Sequence, residues 1–331
     1  MNSTTLHFTS VLAPHLHAYV AHCNALGKRS RSYRCTLRLL DRYLADRGVE
    51  TLAAVTPSLL DAFLASRTRR TAKSFNCMLS GVTCFFRWLV LIGTLPISPV
   101  AARRRRARTT ERPFLFDPDQ ARRLIEATRQ LKDSAGTHGR ARIYRMVFIL
   151  LYGLGLRTGE AARLRLQDVD EERQLLEIHN TKFGKDRLVP FGPKIAAELR
   201  GYLTWRATRP AGLERDVPLF TYDPSGRQAL CPTTITRTFQ ALVPLLNLSV
   251  EPGTRAPNPQ CLRHSFAVGT LRRWYRTGAD ANANLFRLST FMGHVDPGST
   301  AIYLTITSDL LDLANERFAR YAGPVLREVS P

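Results

Sequence analysis

The sequence predicts a mainly α-helical chain with one small β-hairpin, organised as two domains. Three observations carry that prediction. Apolar residues recur at spacings of three and four through most of the chain, the signature of helices with one buried face. One segment breaks that period: "QLLEIHN" and "RLVPF" read as two strands joined by the Gly-containing turn "TKFGKD". The run "AARRRRARTTERP", residues 101 to 113, has no apolar period at all and separates a shorter helical part from a longer one. A length of 331 residues agrees with about two domains, and a 44% hydrophobic content with 16 Phe is enough to build two cores.

Residues 1–100 are expected to form a helical domain. In "RSYRCTLRLLDRYLADRG", Tyr33, Leu37, Leu40 and Leu44 fall on one face. Arg31, Arg34, Arg38 and Arg42 fall on the opposite one, with no acidic residue among them. A solvated surface would tolerate such a stripe, and a phosphate backbone would use it. The next helix, "TAKSFNCMLSGVTCFFRWLVLIG", carries Phe75, Met78, Val82, Phe85 and Leu89 as its core stripe. Gly93 ends it, and Pro96 and Pro99 prevent its continuation.

The linker, 101–113, contains Arg103, Arg104, Arg105 and Arg106. It is read as a segment that lies along a DNA backbone; the alternative is a flexible connector whose charge only aids solubility. The second domain, 114–331, opens with "FDPDQARRLIEA", in which Asp117 is the N-cap, Pro118 the first helical residue and Gln120 the partner in a capping box. Asp117 and Asp119 are therefore assigned to capping, not to a metal. A buried helix, "IYRMVFILLYGLG", breaks at Gly153 and Gly155. From Pro193 onward the pattern is again helical, and "SDLLDLANERFARYAG" closes with an apolar stripe of Leu310, Leu313, Ala314 and Phe318.

Charge narrows the function. Lys and Arg number 48 against 27 Asp and Glu, a formal net charge of +21. Such a field attracts polyanions, nucleic acid first and an anionic membrane surface second. The N-terminus lacks the cationic start and apolar run of a secretory signal, and the most apolar run, Leu89 to Leu95, is far short of the roughly 20 residues that span a bilayer. The six cysteines, Cys23, Cys35, Cys77, Cys84, Cys231 and Cys261, have no CxxC spacing. They are expected to be reduced, mostly buried thiols of a cytoplasmic protein.

Four short segments then line up: "GLGLRTGEAARLRLQDVD" with Arg157 and Glu160, "TKFGKDRLVP" with Lys182, "QCLRHSFA" with Arg263, and "MGHVDPGSTAIYLTIT" with His294 and, nine residues later, Tyr303. In that order and spacing they resemble the tyrosine recombinases, the phage-integrase and Xer/Cre-like site-specific recombinases. The resemblance covers nearly the whole chain. It implies a helical core-binding domain followed by a mixed α+β catalytic domain, with double-stranded DNA as substrate, a tetramer on paired sites, and neither metal nor cofactor.

The same resemblance implies roles. Tyr303 attacks the scissile phosphate to give a 3′-phosphotyrosyl bond. Arg157 and Arg263 clamp the phosphate, as planar, permanently charged donors should when no metal is present. Lys182 protonates the leaving 5′-oxygen, with Lys185 as its competitor, and His294 donates to the phosphate. Nearby positive charge is expected to favour the Tyr303 phenolate. Glu160 lies within one helical turn of Arg157 and is read as its orienter. One position departs from the family: the usual third motif is His-x-x-Arg, and Gln260 stands three residues before Arg263. Glutamine hydrogen-bonds but does not exchange a proton at neutral pH. His264, on the other side of Arg263, is assigned a structural role. Two alternatives stay open, a type IB topoisomerase-like relaxing activity and a catalytically silent DNA-binding protein.

Overall fold

The three-and-four spacing becomes helix along most of the chain. The computed structural model describes residues 7–27, 31–67, 71–106, 111–179, 186–209, 212, 214–294 and 298–305. It divides into two units, Met1–Thr110 and Glu111–Pro331.

Among the described residues the first unit holds four α-helices: α1 (Ala13–Ala25), α2 (Arg31–Ala45), α3 (Pro57–Ala65) and α4 (Ala72–Leu91). Thr56 caps α3 by accepting from Leu59 N at 3.3 Å, and Thr71 caps α4 by accepting from Ser74 N at 3.1 Å. Leu37, Leu40 and Leu44 of α2 pack with Phe75, Met78, Val82, Phe85 and Leu89 of α4. Tyr33, expected on that face, is only half-buried. By length and composition α4 could cross a membrane, but its apolar stripe is the core of this unit.

Arg38 and Arg42 are exposed on α2, while Arg34 is half-buried and donates to Asn24 Oδ1 at 2.5 Å. The Arg31 side chain lies outside the described residues. Residues 101–106 run beside α4. Arg105 exchanges backbone hydrogen bonds of 2.8 Å with the Asn76 amide and stacks its guanidinium 3.8 Å over Phe75. Arg104 donates to Ser80 Oγ at 3.1 Å. Arg103 and Arg106 are exposed.

The second unit begins where Arg112 pairs with the 253–255 segment. Helix α5 (Pro118–Ala127) starts with the full capping box, Gln120 N to Asp117 Oδ1 at 2.8 Å and Asp117 N to Gln120 Oε1 at 3.1 Å. Asp119 is paired with Arg122. Helix α6 (Arg140–Gly153) buries Ile143, Tyr144, Val147, Phe148, Leu150 and Leu151, apolar almost all round, so it sits at the centre of the unit. Short α7 (Thr158–Arg163) follows.

The hairpin forms as strands β2 (Leu175–Ile178) and β3 (Arg187–Pro190), antiparallel, with Ile178 opposite Arg187. A two-residue strand that the sequence did not announce, β1 (Val169–Asp170), pairs with β2 and makes the sheet three-stranded. Then come α8 (Pro193–Ala207), α9 (Pro232–Leu242), α10 (Pro259–Arg276), α11 (Ala281–Met292), α12 (Gly298–Ala301) and a 3-10 turn, Ile302–Thr305. Helix α10 packs on α6, and the 302–305 turn packs on α10.

The cysteines contradict the expectation of burial. Cys261 alone is buried; Cys23 is half-buried, and Cys35, Cys77, Cys84 and Cys231 are exposed. Cys77 and Cys84 sit two turns apart on α4, outside the buried face formed by Phe75, Met78, Leu79, Val82, Phe85, Phe86 and Leu89.

Candidate active site

The chain brings Arg157, Glu160, Arg263, His294 and Tyr303 into one region of the second unit. Lys182 and its competitor Lys185 lie outside the described residues, as does the apolar stripe of 310–318.

Arg157 is the N-cap of α7, at φ −78° and ψ 149°. It arrives there because Gly155 turns the chain at φ +62°, where a Cβ would meet Phe266 Cδ1 at 2.5 Å. A side chain at 155 would be both strained and blocked. Glu160, at the third helical position, accepts from Arg157 N at 2.9 Å and from Arg157 Nη1 at 2.6 Å. Glu160 thus holds Arg157 by both its backbone and its guanidinium.

The second partner of Glu160 was not foreseen. Arg187, the first residue of β3, donates Nη1 to Oε1 at 3.0 Å and Nη2 to Oε2 at 2.9 Å, a two-pronged pair. Arg263 Nη1 approaches the same carboxylate at 4.0 Å. Glu160 is 3% exposed. Burial acts against its charge, but the hydrogen bonds and charges of Arg187 and Arg157 win and hold its carboxyl at about 2. Among the described residues, three guanidiniums thus share one carboxylate, and the site is left with surplus positive charge.

Those three arginines also share one segment. Helix α11 ends at Met292, and a helix end leaves its last carbonyls without partners. Arg187 Nε donates to Phe291 O at 2.9 Å, Arg263 Nη2 to Met292 O at 2.6 Å, and Arg157 Nη2 to Gly293 O at 3.0 Å. Three successive carbonyls each take a different cation, which also suits the negative end of the helix dipole. Gly293 has φ +66°, and a Cβ there would come within 2.8 Å of Arg187 Nη1. Only glycine lets the chain turn at that spot with Arg187 in place.

His294 follows that turn. Its Nδ1 lies 2.6 Å from Thr300 Oγ1, and its ring stacks on Tyr303 with centroids 6.3 Å apart. Burial, then Arg263 and Arg157, lower the His294 pKa to about 4, so the ring is neutral at pH 7.

Arg263 is fully buried. Its Nη1 donates to Gly155 O at 2.5 Å, and its Nε has no partner among the described residues. Burial, then the charge of Arg157, pulls its pKa down to about 9. A buried cation with a spare N–H and an incomplete counter-charge is held ready for an anion.

Gln260 sits in the first turn of α10, half-buried, where Asn258 Oδ1 accepts from its backbone N–H at 3.0 Å. Its side chain has no hydrogen-bond partner among the described residues.

Tyr303 is 3% exposed and packs with Ala267, Val268, Leu271, Leu288 and Met292. The expectation that positive charge would favour its phenolate is corrected here. Burial raises its pKa, and the opposing charges of Arg263 and Arg157 do not overcome that. The phenol is neutral in the DNA-free chain. Its oxygen lies 2.9 Å from Nδ1 of His264, a residue read as structural from sequence. The signal was thin: His264 neighbours Arg263, but adjacent helical residues point about 100° apart, so one facing the site does not imply the other.

Residues 115–309 match the phage integrase family, and residues 14–93 match the N-terminal SAM-like domain of phage integrases. The chain is 35% identical over 232 residues to the integrase/recombinase y4rB of Sinorhizobium fredii, covering 69% of this chain and 69% of that protein. It is 29% identical over 275 residues to tyrosine recombinase XerC of Xanthomonas campestris pv. campestris, covering 82% of this chain and 76% of that one. Its fold resembles that of a lambda integrase dimer bound to a COC′ core site, with TM-score 0.61 at 18% identity, over 86% of this chain and 96% of that one. It also resembles the Tn1549 transposon integrase in complex with transposon right end DNA, with TM-score 0.62 at 17% identity, over 94% and 100%.

Proposed function

Because this chain belongs to the phage integrase family of tyrosine recombinases, and is a DNA-cleaving and rejoining enzyme, we propose that Tyr303 is the nucleophile of a site-specific strand exchange. The observation that carries this reading is the convergence of Arg157, Arg187 and Arg263 on the carbonyls of 291–293, where Met292 shares an apolar cluster with Tyr303.

Tyr303 Oη attacks the phosphorus of a double-stranded DNA backbone. The Oη–P bond forms and the P–O5′ bond breaks, leaving a 3′-phosphotyrosyl strand and a 5′-hydroxyl. Bond energy is conserved in the covalent intermediate, so a 5′-hydroxyl from the partner duplex reverses the step without an energy source. Charge accumulates on the phosphoryl oxygens during attack. Each guanidinium has five N–H donors, and the two carbonyl or carboxylate bonds described for Arg157 and Arg263 leave others for those oxygens. His294 adds a neutral donor. Lys182 protonates O5′. No metal ion takes part in this scheme. Losing one preorganised donor of this kind costs about 3–4 kcal/mol of transition-state stabilisation.

Exposed Arg38 and Arg42 of α2, with the linker residues Arg103 to Arg106, contact phosphates outside the cleavage point. The enzyme acts in the cytoplasm, as a tetramer on two paired sites. The test begins with random-sequence nicked duplexes. Those captured as SDS-stable adducts are recovered, and their strand ends are mapped. A 3′-linked adduct with a free 5′-hydroxyl, and recombinant product only when two sites are present, is the expected result. Relaxation of supercoiled DNA carrying a single site would favour the topoisomerase reading, and the absence of any adduct the silent DNA-binding one.

A further inference from the structure

We propose that His264 takes the proton from Tyr303 as the tyrosine attacks, supplying here the proton acceptor that Gln260 does not provide. This inference rests on Tyr303 being the nucleophile.

The geometry is direct. Nδ1 of His264 is 2.9 Å from Tyr303 Oη, within the reach a general base requires. The two rings are fixed independently: His264 by its place within α10, and Tyr303 by the apolar cluster of Ala267, Val268, Leu271, Leu288 and Met292. The other candidate for the role is poorly placed. The His294 Nδ1 faces Thr300, and its ring meets the Tyr303 ring by stacking, not through the hydroxyl. Gln260, at the position where the family carries histidine, has no exchangeable ring nitrogen.

The surroundings of His264 set its protonation. Tyr303 faces it from the 302–305 turn, Arg263 from its own helix, Arg255 from the preceding loop and His294 from beyond α11. Arg255 is itself paired with Glu111 at 3.3 Å. Burial first, then Arg263 and Arg255, lower the His264 pKa to about 4. The ring is therefore neutral at pH 7, with a nitrogen available to accept.

That same field opposes proton transfer while the site is empty, because an imidazolium would stand beside two arginines. A bound phosphodiester brings one negative charge to those arginines and reverses the effect. Tyr303 thus stays protonated until the scissile phosphate is seated. On cleavage the Oη proton moves to Nδ1 as Oη–P forms, and O5′ leaves with a proton from the acid opposite. On rejoining, the incoming 5′-hydroxyl gives its proton back to that acid as O5′–P forms, Oη–P breaks, and Nδ1–H returns its proton to Oη. Proton and bond inventories close over the two steps.

The experiment is single-turnover cleavage of a nicked suicide duplex, captured from the random pool by the wild-type protein. The variant His264→Asn keeps a hydrogen-bonding amide near Nδ1 but cannot accept a proton. We expect DNA affinity within about threefold of wild type and cleavage slower by about 10²-fold, the lower range for general base catalysis. Replacing Tyr303 with a fluorotyrosine of lower pKa should return at least about tenfold of that loss in the Asn variant, while changing wild type little. Wild-type cleavage by His264→Asn would overturn the proposal. A slow Asn variant that fluorotyrosine does not rescue would also overturn it, reducing His264 to a positioning residue. A further check avoids the variant: nitrogen NMR of the wild-type chain, which should show His264 neutral with Nδ1 unprotonated. A protonated Nδ1 would refute the assignment. If Tyr303→Phe still forms the adduct, the nucleophile reading fails, and that result is distinct from every His264 outcome.

Discussion

Arg187 grips Glu160 through both guanidinium nitrogens, at 3.0 and 2.9 Å, and through Nε holds the carbonyl of Phe291. One side chain therefore couples the sheet to the start of the 293–294 turn and to the carboxylate that orients Arg157. Its own side chain is 9% exposed, so this pair is shielded from solvent and from salt.

Glu160→Gln tests that arrangement by stability. Removing the one carboxylate among three guanidiniums should destabilise the chain by about 3 kcal/mol, as breaking a buried pair does. The pH dependence has a definite sign. The folded pKa of Glu160, about 2, lies below the ordinary carboxylate value. Its contribution is complete above that ordinary value and is lost as pH falls toward about 2. Denaturant unfolding followed from pH 6 to 2 should show a steep loss in wild type. The Gln variant should start lower and lose less over the same window.

Gly293→Ala should cost more than a positive φ alone. Gly253 provides the control: it has φ +78° with nothing near a would-be Cβ, whereas at Gly293 the Cβ meets Arg187. Gly253→Ala should lose about 1 kcal/mol from backbone strain. Gly293→Ala should lose more, and should also slow cleavage by at least about tenfold by displacing Arg187 and the turn that carries His294. Equal melting temperatures for the two variants would contradict this account of the turn.

Affinity for DNA should fall steeply with salt, with a log–log slope of about −0.9 per phosphate neutralised. Replacing Arg103, Arg104, Arg105 and Arg106 together by alanine should flatten that slope. Arg104 spends a guanidinium donor on Ser80 and Arg105 stacks its guanidinium over Phe75, so the flattening should come mostly from Arg103 and Arg106. Fluorescence titrations at several salt concentrations measure it. An unchanged slope returns the segment to a connector.

Gln260→Ala should slow cleavage by about three- to a hundredfold while sparing DNA affinity, the range expected for one lost hydrogen bond. Gln260→His should keep or raise the rate and add a pH dependence between about 5.5 and 7.5. A wild type that does not cleave, but is rescued by histidine, would favour a silent DNA-binding protein.

Local relationships were legible in the sequence, and distant ones were not. The Asp117 capping box, the α4 stripe and the Arg157–Glu160 pair each lie within a single helix or its cap, where side-chain period fixes who faces whom. Arg187 meets Glu160 across 27 positions, and no spacing rule connects a strand's first residue to a helix start. His264 meets Tyr303 across 39 positions, so its contact depends on how α10 and the 302–305 turn pack. The phenolate expectation failed for a related reason. Charge counted along a sequence shows which cations are near, but not that burial of the phenol outweighs them. The two-residue strand β1 was too short to leave a pattern, and exposed Cys77 and Cys84 could not be separated from core residues by their type alone.

The central claim is that Tyr303 carries the DNA covalently. The most direct measurement is protease digestion of the trapped adduct, followed by mass spectrometry of the nucleotide-linked peptide, with Tyr303→Phe in parallel. The account predicts a nucleotide mass on the peptide that contains Tyr303, and no adduct from the Phe variant, which should still bind DNA. A linkage on any other residue, or an adduct that survives Tyr303→Phe, would contradict it.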